Sequence, residues 1–266
     1  MSYRLLEADE PAPVRECRRY GRSPFVIAVD HAGRRIPNRL GNLGLPPSEL
    51  ERHTAWDLGA LGVAMRISAT LDAPLVAQEY SRLVIDCNRT PGSETSIPRM
   101  AESLEVPGNV GLSDEEIAAR RSEIFEPYHA HLRAVLRERR AARQPTILVT
   151  QHTMTSVLKG VRREMHAAVL YEHDRRFAGI VLEMLRRNEE LLIAENEPYL
   201  VQLTHYTVPH HAEAHGLPYV ELEIRQDLVS DEAGEGVWAV RIADALLGAE
   251  RIYSERYAAP QGMSGC

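Results

Sequence analysis

Six short apolar runs punctuate this chain, and amphipathic segments separate most of them. The runs are "PFVIAV" (24–29), "PLVAQEY" (74–80), "RLVID" (82–86), "PTILVTQ" (145–151), "HAAVLYE" (166–172) and "YVELEI" (219–224). Apolar runs of this length, bounded by turn residues, fit strands buried on both faces. Helical patterns lie between them. "PSELERHTAWDLGALGVAMRISATL" (47–71) reads as one long helix or two abutting ones, with Ser48 or Thr54 as cap. Ser113 and Glu116 form a capping box ahead of a helix running to about residue 142. "DRRFAGIVLEMLRR" (174–187) is amphipathic, and residues 230–248 form a last helix. Strands alternating with helices predict an α/β fold around a mostly parallel sheet.

In open α/β sheets, ligands bind beyond the carboxyl ends of the strands. Four of these runs end in polar chemistry. "FVIAV" leads into Asp30-His31, "RLVID" into Cys87-Asn88-Arg89, and "TILVT" into Gln151-His152-Thr153, while "YVELEI" carries Glu221 and Glu223 and then Arg225. Residues 87–112 are rich in Gly and Pro, and a structureless loop of that length is usually functional.

Composition narrows the function classes. The net charge of −7 argues against a nucleic-acid binder, and the Arg-rich stretch 118–143, interleaved with acidic residues, reads as a solvated helix face. Cys17, Cys87 and Cys266 are too few and too scattered for a disulfide framework or a cysteine zinc site. The N-terminal segment lacks the apolar stretch of a signal peptide, and no run approaches 18 consecutive apolar residues. The expectation is a cytoplasmic protein with no membrane or nucleic-acid partner. It is read as a single domain over 1–266 with its core at about 24–248. No motif speaks to oligomeric state.

Each candidate site residue has a plain alternative. A lone strand-end histidine is more often structural than a ligand; His31 and His152, at the ends of separate central strands, strengthen the ligand reading. Catalytic zinc takes three protein ligands and keeps one position open, so a carboxylate should complete the set. Asp57 is a candidate, but Thr54-x-x-Asp57 also fits a capping box. Glu221 and Glu223 share one strand face, which means an exposed edge strand or a polar site, with Arg225 a possible ion-pair partner. Arg82, Asn88 and Arg89 suit an anionic substrate, or belong to a surface loop whose arginine pairs with Asp86.

With these residues assembled, the chain resembles the N-formylglutamate amidohydrolase family, itself similar to zinc carboxypeptidases and aspartoacylases. The matching segments are "VDHAGRRIP", "HTAWDLGA", "YSRLVIDCNR", "GLSDEEIAARRSEIFEPYHAHL", "TQHTMTS" and "YVELEIRQDL". The resemblance implies a three-layer α/β/α fold around a mixed, mainly parallel sheet, with one Zn2+. It implies metal ligands at His31 and His152, a general base at Glu223 and a carbonyl-polarising arginine at Arg82. It also implies a carboxylate anchor at Asn88-Arg89. The related carboxypeptidases have a metal-binding Glu three residues after the first histidine, where this chain has Arg34; Asp57 is therefore taken as the carboxylate ligand. Better-characterised deformylases carry Asp-His-Ser where this chain has Gln151-His152-Thr153, and Asn in place of Arg225. The expected substrate is a small anionic N-acyl amino acid, N-formyl-L-glutamate first. A different N-acyl amino acid, or a non-catalytic anion-binding protein on the same fold, are the alternatives. Lys159, Arg162 and Arg163 read as a solvated basic loop, with contact to a second substrate carboxylate as the other option.

Overall fold

A computed structural model describes residues 3–158, 160–199 and 205–257. Seven strands form one sheet: β1 (Val14–Cys17), β2 (Phe25–Val29), β3 (Leu75–Gln78), β4 (Ile147–Met154), β5 (Ala167–Leu170), β6 (Ile193–Glu195) and β7 (Tyr219–Arg225), in the spatial order β1-β3-β2-β4-β7-β5-β6. β3, β2, β4 and β7 run parallel to one another, as do β5 and β6. Antiparallel contacts join β1 to β3 and β7 to β5. The sheet is therefore mixed and mainly parallel, as expected.

Among the described residues, six helices cover it: α1 (Ala60–Leu71), α2 (Asp114–Arg120), α3 (Glu126–Ala141), α4 (Arg175–Arg186), the short α5 (Thr207–His211) and α6 (Glu232–Tyr257). Among the described residues, no helix is long and apolar enough to cross a membrane. Odd-numbered residues of β2, such as Ile27 and Val29, join Val149 of β4 and Val220, Leu222 and Ile224 of β7 on one face, packed by Val63 of α1, Phe177 of α4 and Trp238 of α6. Val26, Ala28, Leu148 and Tyr219 point the other way, into a second cluster with Phe125 and with Tyr128 and Leu132 of α3. Helices on both faces make the predicted three layers. The Ser113–Glu116 capping box is present, and one π-helical turn (Arg121–Phe125) joins α2 to α3.

Several local expectations are corrected. Residues 82–86 are not a strand but consecutive turns, with Val84 N–H donating to Ser81 O and Arg89 N–H to Asp86 O. β2 already has both its sheet neighbours, so this segment has no ladder to join; Leu83, Val84 and Ile85 instead bury their side chains in the second cluster. An apolar run alone cannot distinguish these cases. The 47–71 segment is a short 3-10 turn (Pro47–Glu51) and then α1, which starts at Ala60. Neither Ser48 nor Thr54 caps α1. Its N-cap is Gly59 at φ 77°, where a Cβ would come 2.2 Å from Val229 O. Arg120 and Arg139 are also buried rather than part of a solvated face. Arg120 donates to the carbonyls of Val84 and Gly108, and Arg139 to those of Gly21, Ser23 and Pro145.

Candidate metal centre and active site

Along β4 and β7, the face that begins apolar at Leu148 and Tyr219 turns polar toward the strand ends. With a period of two, that face carries Thr150 and His152 on β4 and Glu221, Glu223 and Arg225 on β7, and Asp30 extends it from β2. Gln151 and Thr153 point to the opposite side. β7 is central, between β4 and β5, and Glu221 and Glu223 are only 0% and 5% exposed, so the edge-strand reading falls. Arg225 does not pair with them either. It pairs with Asp227 at 2.8 Å and clamps the carbonyls of residues 163–165.

His31 follows β2 in a loop whose Gly33 sits against the backbone of Glu79; a Cβ there would lie 2.0 Å from Glu79 O. The 55–59 turn is strapped over the strand ends. Asp57 N–H donates to His31 O, Ser81 Oγ to Ala55 O and Thr153 Oγ1 to Leu58 O. Asp57 is thereby held beside both histidines and three residues short of α1, so it caps no helix. Its Oδ2 lies 3.0 Å from His152 Nδ1 and 3.4 Å from His31 Nδ1. One ligand atom from each of His31, Asp57 and His152 lies within 4.8 Å of the other two. Ligands about 2.0–2.1 Å from a tetrahedral zinc stand about 3.3 Å apart, close to the two Asp57 distances. His31 Nδ1 is buried without a hydrogen-bond partner. The three residues thus fit a divalent cation on donor type, spacing and an orphaned buried nitrogen. Arg34 points away, pairing with Glu51 and lying over Trp56.

Further carboxylates hold the far side of each ring. Asp86 Oδ1 lies 2.7 Å from His31 Nε2 and accepts Asn88 N–H, while Oδ2 accepts Arg82 Nε and Nη2. Asp30 Oδ2 lies 3.3 Å from His152 Nε2, and Oδ1 accepts the hydroxyls of Tyr128 and Thr207. Carboxylate–histidine pairs of this kind orient metal ligands. Burial alone would raise Asp30, Asp57 and Asp86. The neighbouring histidines outweigh it for Asp30 and Asp57, and Arg82 with His31 does so for Asp86, so all three stay below the usual carboxylate range. Glu223 behaves oppositely. Burial pushes it up to about 8, and its Oε2 has no hydrogen-bond partner.

Arg82 shows the pairing with Asp86 that the plainer reading anticipated, but in a largely buried setting; its Nη1 reaches to 3.4 Å from Asp57 Oδ1. Asn88 is buried, and its Oδ1 accepts the backbone N–H groups of Tyr206 and Thr207. Arg89 is half-buried and donates to Asn88 O. The sequence reading missed Tyr128 and Thr207, which hold Asp30; neither stands in a recognisable motif. It noted Asp30 and Asp86 only as neighbours of other candidates. Surface clefts of about 640 and 720 Å³, one around Arg175 and Glu213 and one around Arg133 and Arg140, contain none of these residues.

Residues 23–230 match the family model described as N-formylglutamate amidohydrolase. The crystal structure of gene product Atu2144 from Agrobacterium tumefaciens is similar at 34% identity and TM-score 0.90, over 94% of this chain and 99% of that one. The N-formylglutamate amidohydrolase from Ralstonia eutropha JMP134 is similar at 18% identity and TM-score 0.70, over 94% of this chain and 100% of that one, a likeness of fold. No curated protein sequence matches. Family match and fold together define a hydrolase acting on amide C–N bonds. Within that class, the chain belongs to the N-formylglutamate amidohydrolase family, whose model spans most of its length.

Proposed function

We propose that the protein is a zinc-dependent amidohydrolase of small anionic N-acyl amino acids, with N-formyl-L-glutamate as the leading substrate and one domain carrying the reaction. The observation that carries this reading is the convergence of His31, Asp57 and His152 beside Glu223, whose Oε2 is buried without a hydrogen-bond partner. When bound, zinc lowers the pKa of a water toward ~7 and polarises a carbonyl. Glu223 takes the water's proton as it attacks the acyl carbon and hands it to the leaving nitrogen as the C–N bond breaks. For a formyl substrate the products are formate and the free amino acid. Arg82, fixed by Asp86, faces the carbonyl oxygen as it gains charge, a role worth about 3–4 kcal/mol for a well-placed donor. Arg89 and Asn88 hold the α-carboxylate.

Two departures from better-characterised deformylases do not oppose a formyl substrate. Gln151 and Thr153 lie on the strand face turned away from Glu223, and Arg225 serves as a backbone clamp. The test is metal content of the purified protein together with amine release from a panel of N-acyl amino acids. Stoichiometric zinc and preferential release from N-formyl amino acids are expected. A metal-free protein that binds these compounds without turnover would contradict the proposal.

A further inference from the structure

Arg163 departs from the solvated-loop expectation. It is 6% exposed, whereas Arg162 is exposed and Lys159 lies outside the described residues. Its Nη1 donates to Thr155 O at 3.1 Å and its Nη2 to Tyr199 Oη at 3.0 Å, with the guanidinium 5.1 Å from the centre of the Tyr199 ring. These partners are two neutral oxygens and a ring face. Glu164, next in sequence, lies 3.8 Å from Arg162, and Asp227 is on Arg225. Among the described residues, Arg163 makes no ion pair. A guanidinium stays charged in proteins; the buried Arg120 and Arg139 spread theirs over three and four oxygens, whereas that of Arg163 meets two.

Its position is set by the two strands that carry the proposed chemistry. Thr155 and Ser156, whose carbonyls accept from Arg163, follow directly on β4, the strand of His152. Arg225, two residues beyond Glu223 on the same face of β7, donates to the carbonyls of Arg163, Glu164 and Met165 at 3.1–3.3 Å. The unpaired cation is thus tethered at the carboxyl ends of both strands. Tyr199 lies close enough to the same centre for its phenol to feel Glu223 and Arg82, after burial the main charges acting on it besides Arg163.

We propose that Arg163, steadied by Tyr199, determines specificity by receiving the side-chain carboxylate of a dicarboxylic N-acyl amino acid while Asn88 and Arg89 hold its α-carboxylate. This rests on the hydrolytic reading of the site given above. A substrate with one carboxylate would leave the buried guanidinium uncompensated, whereas a dicarboxylate supplies its missing partner.

The test compares N-formylglutamate with N-formylglutamine, which has nearly the same shape but a neutral terminus. Wild type should prefer the acid by about 10- to 100-fold in kcat/KM, the worth of a hydrogen-bonded charge pair. Arg163→Met should lose most of that preference, chiefly through KM on the acid. Arg163→Lys should restore part of it, and Tyr199→Phe should weaken it less. Calorimetric binding of the products, glutamate against glutamine, reads the same preference without turnover. Arg163→Met that keeps the wild-type preference, or weakens both substrates equally, overturns the inference while leaving the hydrolase reading intact. Absent turnover with glutamate-selective binding that Arg163→Met abolishes would sink the hydrolase reading and keep the inference. Should Arg163→Met not fold, the lysine and phenylalanine variants carry the comparison.

Discussion

Two buried histidine pairs lie under the same sheet face, and they could hardly differ more. His31 and His152 sit with ring centres 5.1 Å apart and 65° between planes. His129 and His211 stack at 5.2 Å and 17°, joined Nδ1 to Nε2 at 2.9 Å. The first pair is surrounded by Asp30, Asp57 and Asp86. The second has the Cys87 carbonyl, 2.8 Å from His129 Nε2, and the rings of Phe125 and Tyr206. A carbonyl only accepts, so His129 Nε2 carries a proton, its Nδ1 accepts, and His211 Nε2 donates to it. This pattern goes with neutral rings, since burial pushes them down to about 4 for His129 and about 2 for His211. Burial acts on His152 in the same direction, yet Asp30 and Asp57 outweigh it and hold His152 well above its ordinary value. Burial is common to both pairs, so the carboxylates account for the opposite shifts.

The largest effects should separate the two pairs. His31→Ala or His152→Ala should lose bound zinc and activity together, whereas His129→Phe should keep zinc stoichiometry. Loss of zinc in the His129 variant would erase the distinction. Glu223→Gln should lower kcat by roughly 10²–10⁴-fold, the usual weight of a general base, with zinc retained. Next come the carboxylates behind the rings. Asp30→Asn should weaken zinc binding about 10- to 100-fold, and Thr207→Val, which removes one donor to Asp30, should do so by less. Chelator competition measures both, and equal zinc affinity in Asp30→Asn would mean that the backing carboxylate does not tune His152.

The His129–His211 pair should also answer pH oppositely to Glu223. An unfolded histidine titrates near 6.5, so between 6.5 and about 4 the unfolded chain binds protons that folded His129 and His211 refuse. Stability should fall as pH drops through that window, by on the order of 3 kcal/mol for His129 alone. Glu223 is raised instead, so folded protein without a cation holds its proton from about pH 4.5 to 8 and should lose stability as pH rises through that range. Urea melts of metal-free protein at pH 5, 7 and 8.5, repeated for His129→Phe and Glu223→Gln, would separate the two trends. Identical pH profiles for wild type and both variants would count against them. The smallest effect belongs to Arg34→Glu. Its exposed pairing with Glu51 is worth ~1 kcal/mol or less, and zinc affinity should stay as in wild type. Tighter zinc binding in that variant would show that position 34 reaches the metal after all.

Much of the sheet was legible in sequence because strands buried on both faces are mostly apolar runs, as "FVIAV" and "TILVT" are, while "YVELEI" keeps one face apolar. Polar residues inside or just after such runs stand out for the same reason, which is how His31, His152 and Glu223 were found. "RLVID" misled because turns that plant Leu83, Val84 and Ile85 in a core have the composition of a strand. Asp57 could be read as a cap until the structure placed the start of α1 three residues later, at Ala60. The supports were not legible at all. Tyr128 and Thr207 reach Asp30 from 98 and 177 residues away, and Arg225 reaches Arg163 across 62. No local pattern encodes contacts of that kind.

The most direct measurement is the zinc affinity of Asp57→Asn beside that of wild type, by chelator competition at neutral pH. Asn keeps the shape and can still accept hydrogen bonds from His31, His152 and Arg82, but it gives up the anionic oxygen that faces both Nδ1 atoms. Affinity should fall by more than the ~10- to 100-fold typical of a backing carboxylate, because a ligand itself is removed. An Asp57→Asn protein that binds one zinc as tightly as wild type would contradict the assignment of His31, Asp57 and His152 as the metal centre.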